Sequence, residues 1–295
     1  MTIAGVYPPI PTPFDSQGRL HATALAANVE RWEQTGLHGY VVAGSNGESP
    51  LLEADEIVEA VRIVRQTAAP DKRVIAGTGC QSTAATLRLT QAVAEAGAEV
   101  ALVMNPFFYP AQMTPAALVR HYTTVADGSP IPILVYNVPK FTNLNLDPAV
   151  VAQLAAHPNI VGIKDSAGNI GQVIDLLRLC PPDFEVLLGN GPAFFSGLQA
   201  GAVGGILALA NVAPAECVAI WRLVREGRDA EAREIQFRLM PLGKAVTSGY
   251  GVPGLKAALD LLGYYGGPPR PPLLPADEPV REAIRRILVE ARVLR

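Results

Sequence analysis

Only five lysines occur in this chain, at positions 72, 140, 164, 244 and 256, and one of them is placed to act as a nucleophile. Lys164 closes the apolar run Ile160-Val161-Gly162-Ile163. An amine at the end of a buried strand loses hydration, which disfavours its ammonium form. A neutral amine adds to a ketone and forms a Schiff base. The structural alternative is a strand-end lysine paired with an acid such as Asp165. Imine chemistry also needs a proton carrier, and Tyr136, in the run Ile131–Asn137, is a phenol that can serve in a dry pocket. A core tyrosine with a satisfied hydroxyl fits the same position. Ser45 and Asn46 lie between Gly44 and Gly47, in a loop whose backbone N–H groups could converge on a carboxylate; an ordinary strand-to-helix turn is the plainer reading. Lys72 precedes a strand, Lys140 lies just past one, and Lys244 and Lys256 fall in helical patterns.

Other chemistries lack their residues. No GxxxxGK[ST] or GxGxxG stretch offers a phosphate cradle, and there is no HExxH or GxSxG. Histidines 21, 38, 121 and 157 are scattered and none closes a strand, so no metal ligand set is expected. Cysteines 80, 180 and 217 form no CxxC pair, and their sparse, odd number suits a reducing cytosol. An imine mechanism with no cofactor survives this elimination.

The elements that must carry these residues alternate in type. Candidate strands are Gly5–Ile10, Gly39–Ala43, Arg73–Gly77, Val100–Met104, Ile131–Asn137, Ile160–Lys164, Glu185–Leu188 and Val203–Leu207. Helical patterns cover 21–36, 53–68, 82–97, 114–126, 147–156, 170–179 and 192–200. Thr114-Pro115 and Asp147-Pro148 read as N-cap plus first-turn proline, and Gly36 and Gly97 as stops. Several strands are continuous apolar runs, which indicates burial on both faces of a parallel sheet. Eight strands with intervening helices predict a (β/α)8 TIM barrel over residues 1–210, with an open doubly wound sheet as the competing arrangement. Residues 211–295 read as a C-terminal helical extension of the same domain, with helices near 214–226, 229–246, 252–262 and 277–292. In such a barrel the strand C-termini build the active site, and Ser45, Tyr136, Lys164, Ser166, Gly189 and Asn190 all stand there.

Length and charge bound the partners. The chain has 295 residues, 49% of them apolar, enough for a packed core. With 24 basic and 27 acidic residues well mixed, neither nucleic acid nor an anionic membrane is an expected partner. The uncharged stretch from Val186 to Ala215 is interrupted by polar residues and glycines, and reads as a buried strand with its flanks. The N-terminus shows no basic, then apolar, leader pattern, so a cytoplasmic location is expected.

At these residues the sequence resembles the N-acetylneuraminate lyase/dihydrodipicolinate synthase family of class I, Schiff-base-forming barrels. The resemblance rests on Pro11-Thr12-Pro13-Phe14, Gly44–Glu48, Tyr136-Asn137-Val138-Pro139, Ile163-Lys164-Asp165-Ser166 and Gly201–Gly205. It implies that Lys164 forms the imine with a 2-oxo acid such as pyruvate and that Tyr136 relays protons. Ser45 and Asn46 would then hold the pyruvyl carboxylate, Ser45 would also bond Tyr136, and Ser166 would meet a second carboxylate. Gly189, Asn190 and Ile206 complete the expected substrate set. Within the family, Gly44–Glu48, Gly79–Thr83, Ala208–Val212 and Gly263–Pro268 are most similar to 4-hydroxy-2-oxoglutarate aldolases. That implies cleavage of 4-hydroxy-2-oxoglutarate to pyruvate and glyoxylate.

Alternatives follow from the same imine: a dihydrodipicolinate synthase condensing pyruvate with aspartate semialdehyde, or a 2-keto-3-deoxy sugar acid aldolase or dehydratase. A keto-acid-binding protein without catalysis is an alternative of another class. Departures from the family pattern bear on the choice. Ser45-Asn46 stands where the synthases usually carry two threonines. Phe141 stands where they usually carry the arginine that binds the aldehyde's carboxylate, leaving Lys140 as a point-charge substitute. Phe108 replaces a tyrosine common in the family, with Tyr109 adjacent, and Asn143 replaces a common glycine. The family is usually a homotetramer built from dimers, so a homodimer or homotetramer is expected, with the aromatic cluster 107–109 as interface or lid.

Overall fold

The computed structural model describes residues 2–294. Eight parallel strands form its centre: β1 (Gly5–Tyr7), β2 (Gly39–Val42), β3 (Arg73–Gly77), β4 (Val100–Met104), β5 (Ile133–Asn137), β6 (Ile160–Asp165), β7 (Glu185–Leu188) and β8 (Gly204–Ile206). Hydrogen-bonded neighbours run β1-β8-β7-β6-β5-β4-β3-β2, a (β/α)8 TIM barrel with helices outside and further helices at the C-terminus. Seven junctions are parallel ladders.

The eighth, between β1 and β2, is thinner. His38 N–H donates to Val6 C=O (3.1 Å), Val41 N–H to Pro8 C=O (2.9 Å) and Ile10 N–H to Val41 C=O (2.9 Å). Pro8 has no N–H to donate, and the Val6 N–H turns to His38 Nδ1 at 3.1 Å. The expected strand Gly5–Ile10 is therefore regular only to Tyr7, with Pro9 opposite Val41 as an isolated bridge.

Alternation along each strand sorts side chains into two cores. Tyr7, Val41, Ile75, Leu102, Leu134, Leu187 and Ile206 fill the barrel interior. Val6, Tyr40, Val42, Val74, Ala76, Val103, Val135, Ile163, Val186 and Leu188 pack outward under the helices. Leu239, Leu242, Leu255, Ile284 and Leu288 of the C-terminal helices join that outer cluster. The helix boundaries follow local chemistry: Thr114 Oγ1 accepts the Ala117 N–H, Asp147 Oδ1 accepts the Ala149 N–H, and Glu53 with Glu56 forms a capping box. The expected helix 229–246 holds through Pro241 to Lys244 and then widens into a π-helical turn, Ala245–Gly249.

One irregularity sets the phase of β6. Ile133 pairs with Ile160, but Leu134 pairs with Gly162, so Val161 is an extra residue. Ile160 and Ile163 both face outward although three positions apart, and Val161 packs on the interior cluster. Strict alternation from Ile160 would turn Lys164 toward the helices. The bulge shifts the period by one and turns it into the barrel.

Candidate active site

Tyr136 and Lys164 are register partners on β5 and β6, both directed into the barrel mouth and both buried. Lys164 Nζ lies 4.0 Å from the centroid of the Tyr136 ring. The Tyr136 hydroxyl lies 3.2 Å from Ser45 Oγ, so lysine, phenol and serine form a short chain across the mouth. Asp165 does not pair with Lys164. It points to the other side of β6, where Oδ1 accepts the Ala167 N–H (2.6 Å) and Oδ2 accepts Gln172 Nε2 (2.7 Å). Burial raises its pKa, against the hydrogen bonds it accepts. Gln172 in turn bonds Asn145, and Asn145 Oδ1 accepts Asn137 Nδ2 at 2.9 Å. This buried amide network ties the ends of β5 and β6 together one residue beyond Tyr136 and Lys164. Among the described residues no carboxylate oxygen lies within 4.0 Å of Lys164 Nζ.

The amine opens into a cavity of about 150 Å³ lined by Ser45, Asn46, Tyr136, Lys164, Ser166, Gly189, Asn190 and Ile206, among others. All the substrate residues expected from the sequence are thus brought together. Ser166 Oγ is buried there and bonds nothing in the chain, an unusual state for a hydroxyl unless a ligand completes it. Gly189 has to be glycine: a Cβ would overlap Ser166 Oγ and stand 3.1 Å from Lys164 Cε. Asn190 is partly committed, its Oδ1 accepting the Ala193 N–H at 3.2 Å.

Ser45 and Asn46 sit in a one-turn 3₁₀ segment, Ser45–Gly47. Two non-glycine residues in left-handed conformation bracket it, Ala43 at φ 52° and Glu48 at φ 60°. Each costs on the order of 1 kcal/mol or more, and such strain persists where the surroundings over-determine it.

The sequence-level set omits residues that the C-terminal helices supply. Thr247, Ser248, Gly251 and Val252, at the π-helical turn and the start of the next helix, close the same cavity beside Lys140 and Phe141. The signal for them is Ser248-Gly249-Tyr250-Gly251, a glycine-rich interruption of a helical pattern. Two further cavities adjoin, one of about 330 Å³ under the β2–β4 ends and an outer one of about 490 Å³ bounded by Phe107, Phe141, Val252 and Leu273. Lys140 Nζ donates to Thr247 C=O at 3.3 Å. Phe107 lines these cavities, whereas Phe108 and Tyr109 are 70% and 65% exposed and stack edge-on with each other. Within one chain Tyr109 does not reach the phenol of Tyr136. Among the described residues no group of three His, Cys, Asp or Glu side chains is placed to hold a metal ion, and no helix is long and apolar enough to cross a membrane.

A barrel-mouth lysine beside a phenol and a serine, with no acid on the amine, defines a class I, Schiff-base-forming carbon–carbon lyase. The chain belongs to the Dihydrodipicolinate synthetase family, whose model matches residues 2–291. It is 37% identical over 288 residues to a 4-hydroxy-tetrahydrodipicolinate synthase of Methanoculleus marisnigri, covering 97% of this chain and 98% of that one. A protein of the same name from Rhizobium meliloti is 37% identical over 276 residues, 93% of each chain. Among solved structures, dihydrodipicolinate synthase of Thermotoga maritima superposes with a TM-score of 0.95 at 33% identity, covering 100% of both chains. A prophage protein of the dihydrodipicolinic acid synthase family from E. coli K12, in complex with pyruvate, gives 0.93 at 29% identity, covering 99% of this chain and 100% of that one.

Proposed function

We propose that Lys164 binds pyruvate and longer 2-oxo acids as imines, and that the enzyme cleaves 4-hydroxy-2-oxoglutarate to pyruvate and glyoxylate. The observation that carries the proposal is the Lys164–Tyr136–Ser45 chain, an amine and a phenol in contact inside the mouth with no carboxylate on the amine.

The free amine of Lys164 adds to the C2 ketone. The carbinolamine loses water as Tyr136 hands a proton to the departing hydroxyl, leaving a protonated imine. Tyr136 then takes the proton of the C4 hydroxyl while the C3–C4 bond pair moves into the imine, so glyoxylate leaves and an enamine remains. C3 is protonated, water adds to the imine carbon, and pyruvate and the free amine are released. Ser45 and Asn46 orient the C1 carboxylate, a positioning effect. The unpaired Ser166 hydroxyl meets the second carboxylate.

What supports this aldehyde is the mouth itself: Phe141 offers no guanidinium for the carboxylate of aspartate semialdehyde, and Lys140 is directed to the Thr247 carbonyl. A second reading has its own support. The relatives described above are named as synthases of 4-hydroxy-tetrahydrodipicolinate or dihydrodipicolinate, which favours condensation of pyruvate with aspartate semialdehyde. Both readings share the pyruvyl imine. The exposed Phe108–Tyr109 pair supports a homodimer or homotetramer with these rings in the contact.

Borohydride reduction in the presence of pyruvate, followed by peptide mapping, tests the imine. A reduced adduct on any residue other than Lys164 refutes the scheme. Product assays with glyoxylate and with aspartate semialdehyde decide between the two readings.

A further inference from the structure

Glu48 and Lys256 form an ion pair that the chemistry above does not use. Lys256 Nζ lies 2.7 Å from Glu48 Oε1, with 1% and 0% of the two side chains exposed. The ammonium has three protons and three oxygen neighbours, since it also donates to Thr12 C=O (2.8 Å) and Pro268 C=O (2.9 Å). Glu48 Oε2 accepts the Arg270 backbone N–H at 2.8 Å. The Phe14 ring packs on both cations, 4.5 Å from Lys256 Nζ and 4.3 Å from Arg270 Cζ. A buried pair of this kind is a weak source of net stability, because desolvation offsets the Coulomb attraction. Its geometry is more telling than its energy.

Both partners converge on the turn that carries Ser45. Glu48 is the last residue of that turn and is held in a left-handed conformation. Thr12, whose carbonyl Lys256 grips, donates its hydroxyl to Gly47 C=O at 2.6 Å. Lys256 therefore fixes the end of the turn directly through Glu48 and indirectly through Thr12. Neither Glu48 nor Lys256 lines the cavity around Lys164.

We propose that Lys256 and Glu48 are positioning residues for the Schiff-base reaction: their buried pair holds the strained 43–48 turn so that Ser45 Oγ stays on the Tyr136 hydroxyl. Through Lys256, which does not line the cavity, the C-terminal helix 251–261 thereby reaches the proton relay. This rests on the reading that Lys164 forms the imine and Tyr136 moves its protons.

The test compares the full-length wild type with the double variant Glu48→Met/Lys256→Met, with Ser45→Ala, and with the triple variant. The readouts are thermal midpoint and the rate of borohydride-trapped imine formation over a pyruvate series. The double variant removes both charges together, so no unpaired charge is left buried, and it is expected to stay folded. Its trapping rate at saturating pyruvate is expected to fall at least about tenfold, with a smaller change in the half-saturating pyruvate concentration. In the Ser45→Ala background the same two substitutions are expected to change that rate less than about twofold, the non-additivity of groups acting as one unit. A folded double variant that traps at the wild-type rate overturns the proposal, and so does a loss that simply multiplies with that of Ser45→Ala. If the double variant does not fold, Glu48→Gln/Lys256→Met, which also removes both charges and keeps the shape at 48, carries the same comparison with Ser45→Ala. A wild type that forms no adduct at Lys164 refutes the imine reading itself; adduct formation in the wild type with unaffected variants refutes only the positioning role.

Discussion

Tyr136 and Lys164 occupy matched positions on adjacent parallel strands, and the lysine nitrogen rests 4.0 Å from the centre of the phenol ring. Register pairing on adjacent parallel strands puts both side chains on the inner face as neighbours, so the contact follows from backbone register. Replacing Lys164 by Ala is expected to abolish both turnover and borohydride trapping. Tyr136→Phe keeps the ring and loses the proton; kcat is expected to fall about 10²- to 10⁴-fold, with trapping slow but present. Trapping in Lys164→Ala at the wild-type rate would show that the nucleophile lies elsewhere.

Gly189→Ala tests how tightly the lysine stem is packed. The added methyl overlaps Ser166 Oγ and crowds Lys164 Cε. A loss of about tenfold or more in kcat/KM is expected, since small displacements of reacting groups are costly. The pair Gly189→Ala/Ser166→Ala should recover part of the imine-trapping rate by relieving the overlap. An unimpaired single variant would mean that Ser166 and the lysine stem have room to shift.

The aldehyde pocket is tested by Phe141→Arg. A guanidinium at that position would supply a two-pronged partner for a carboxylate. If aspartate semialdehyde is a poor acceptor in the wild type for want of such a group, the variant's relative kcat/KM for it over glyoxylate should rise about tenfold or more. Efficient use of aspartate semialdehyde by the wild type, with no gain in the variant, would favour the synthase reading.

Acid stability is tied to buried histidines. His121 is 5% exposed, its Nδ1 is 2.9 Å from Thr83 Oγ1 and its Nε2 has no partner in the chain. Burial lowers its pKa from 6.5 to about 4. Between those values the unfolded chain binds a proton that the folded one refuses, so stability is lost as pH falls through that window, by about 3 kcal/mol at most for this group. His38 is shifted the same way, by burial and then by Lys72 and Arg225. Denaturant titrations at pH 7 and pH 4 should show a smaller difference for His121→Gln than for the wild type, with the share due to His38 remaining. An unchanged difference would remove His121 from the account.

Much of this architecture was readable from residue order because two-sided burial makes β3, β4 and β7 nearly pure apolar runs, and their predicted bounds coincide with the observed ones. Lys164 stood out for the same reason, as the one lysine closing such a run. Its direction was not readable: alternation from Ile160 points it outward, and only the pairing with β5 reveals Val161 as the added residue. Glu48 and Lys256 were equally silent, because a glutamate in a turn and a lysine in a helical pattern each look solvated until the fold brings them together. The cavity wall from Thr247 to Val252 depends on how the C-terminal helices lie across the barrel mouth, a matter of tertiary packing.

The thin junction between β1 and β2 gives the ring a clasp. One of its rungs is not main chain at all, for the Val6 amide rests on an imidazole nitrogen that can accept only while unprotonated. Protonating His38 therefore costs the clasp this rung, and amide exchange with solvent at Val6, His38 and Val41 is expected to outrun that along the bonded edge shared by β5 and β6. Because β2 leads into the turn bearing Ser45, the clasp lies on the strand that carries one end of the proton chain, and on the far side of the barrel order from the lysine's own strand.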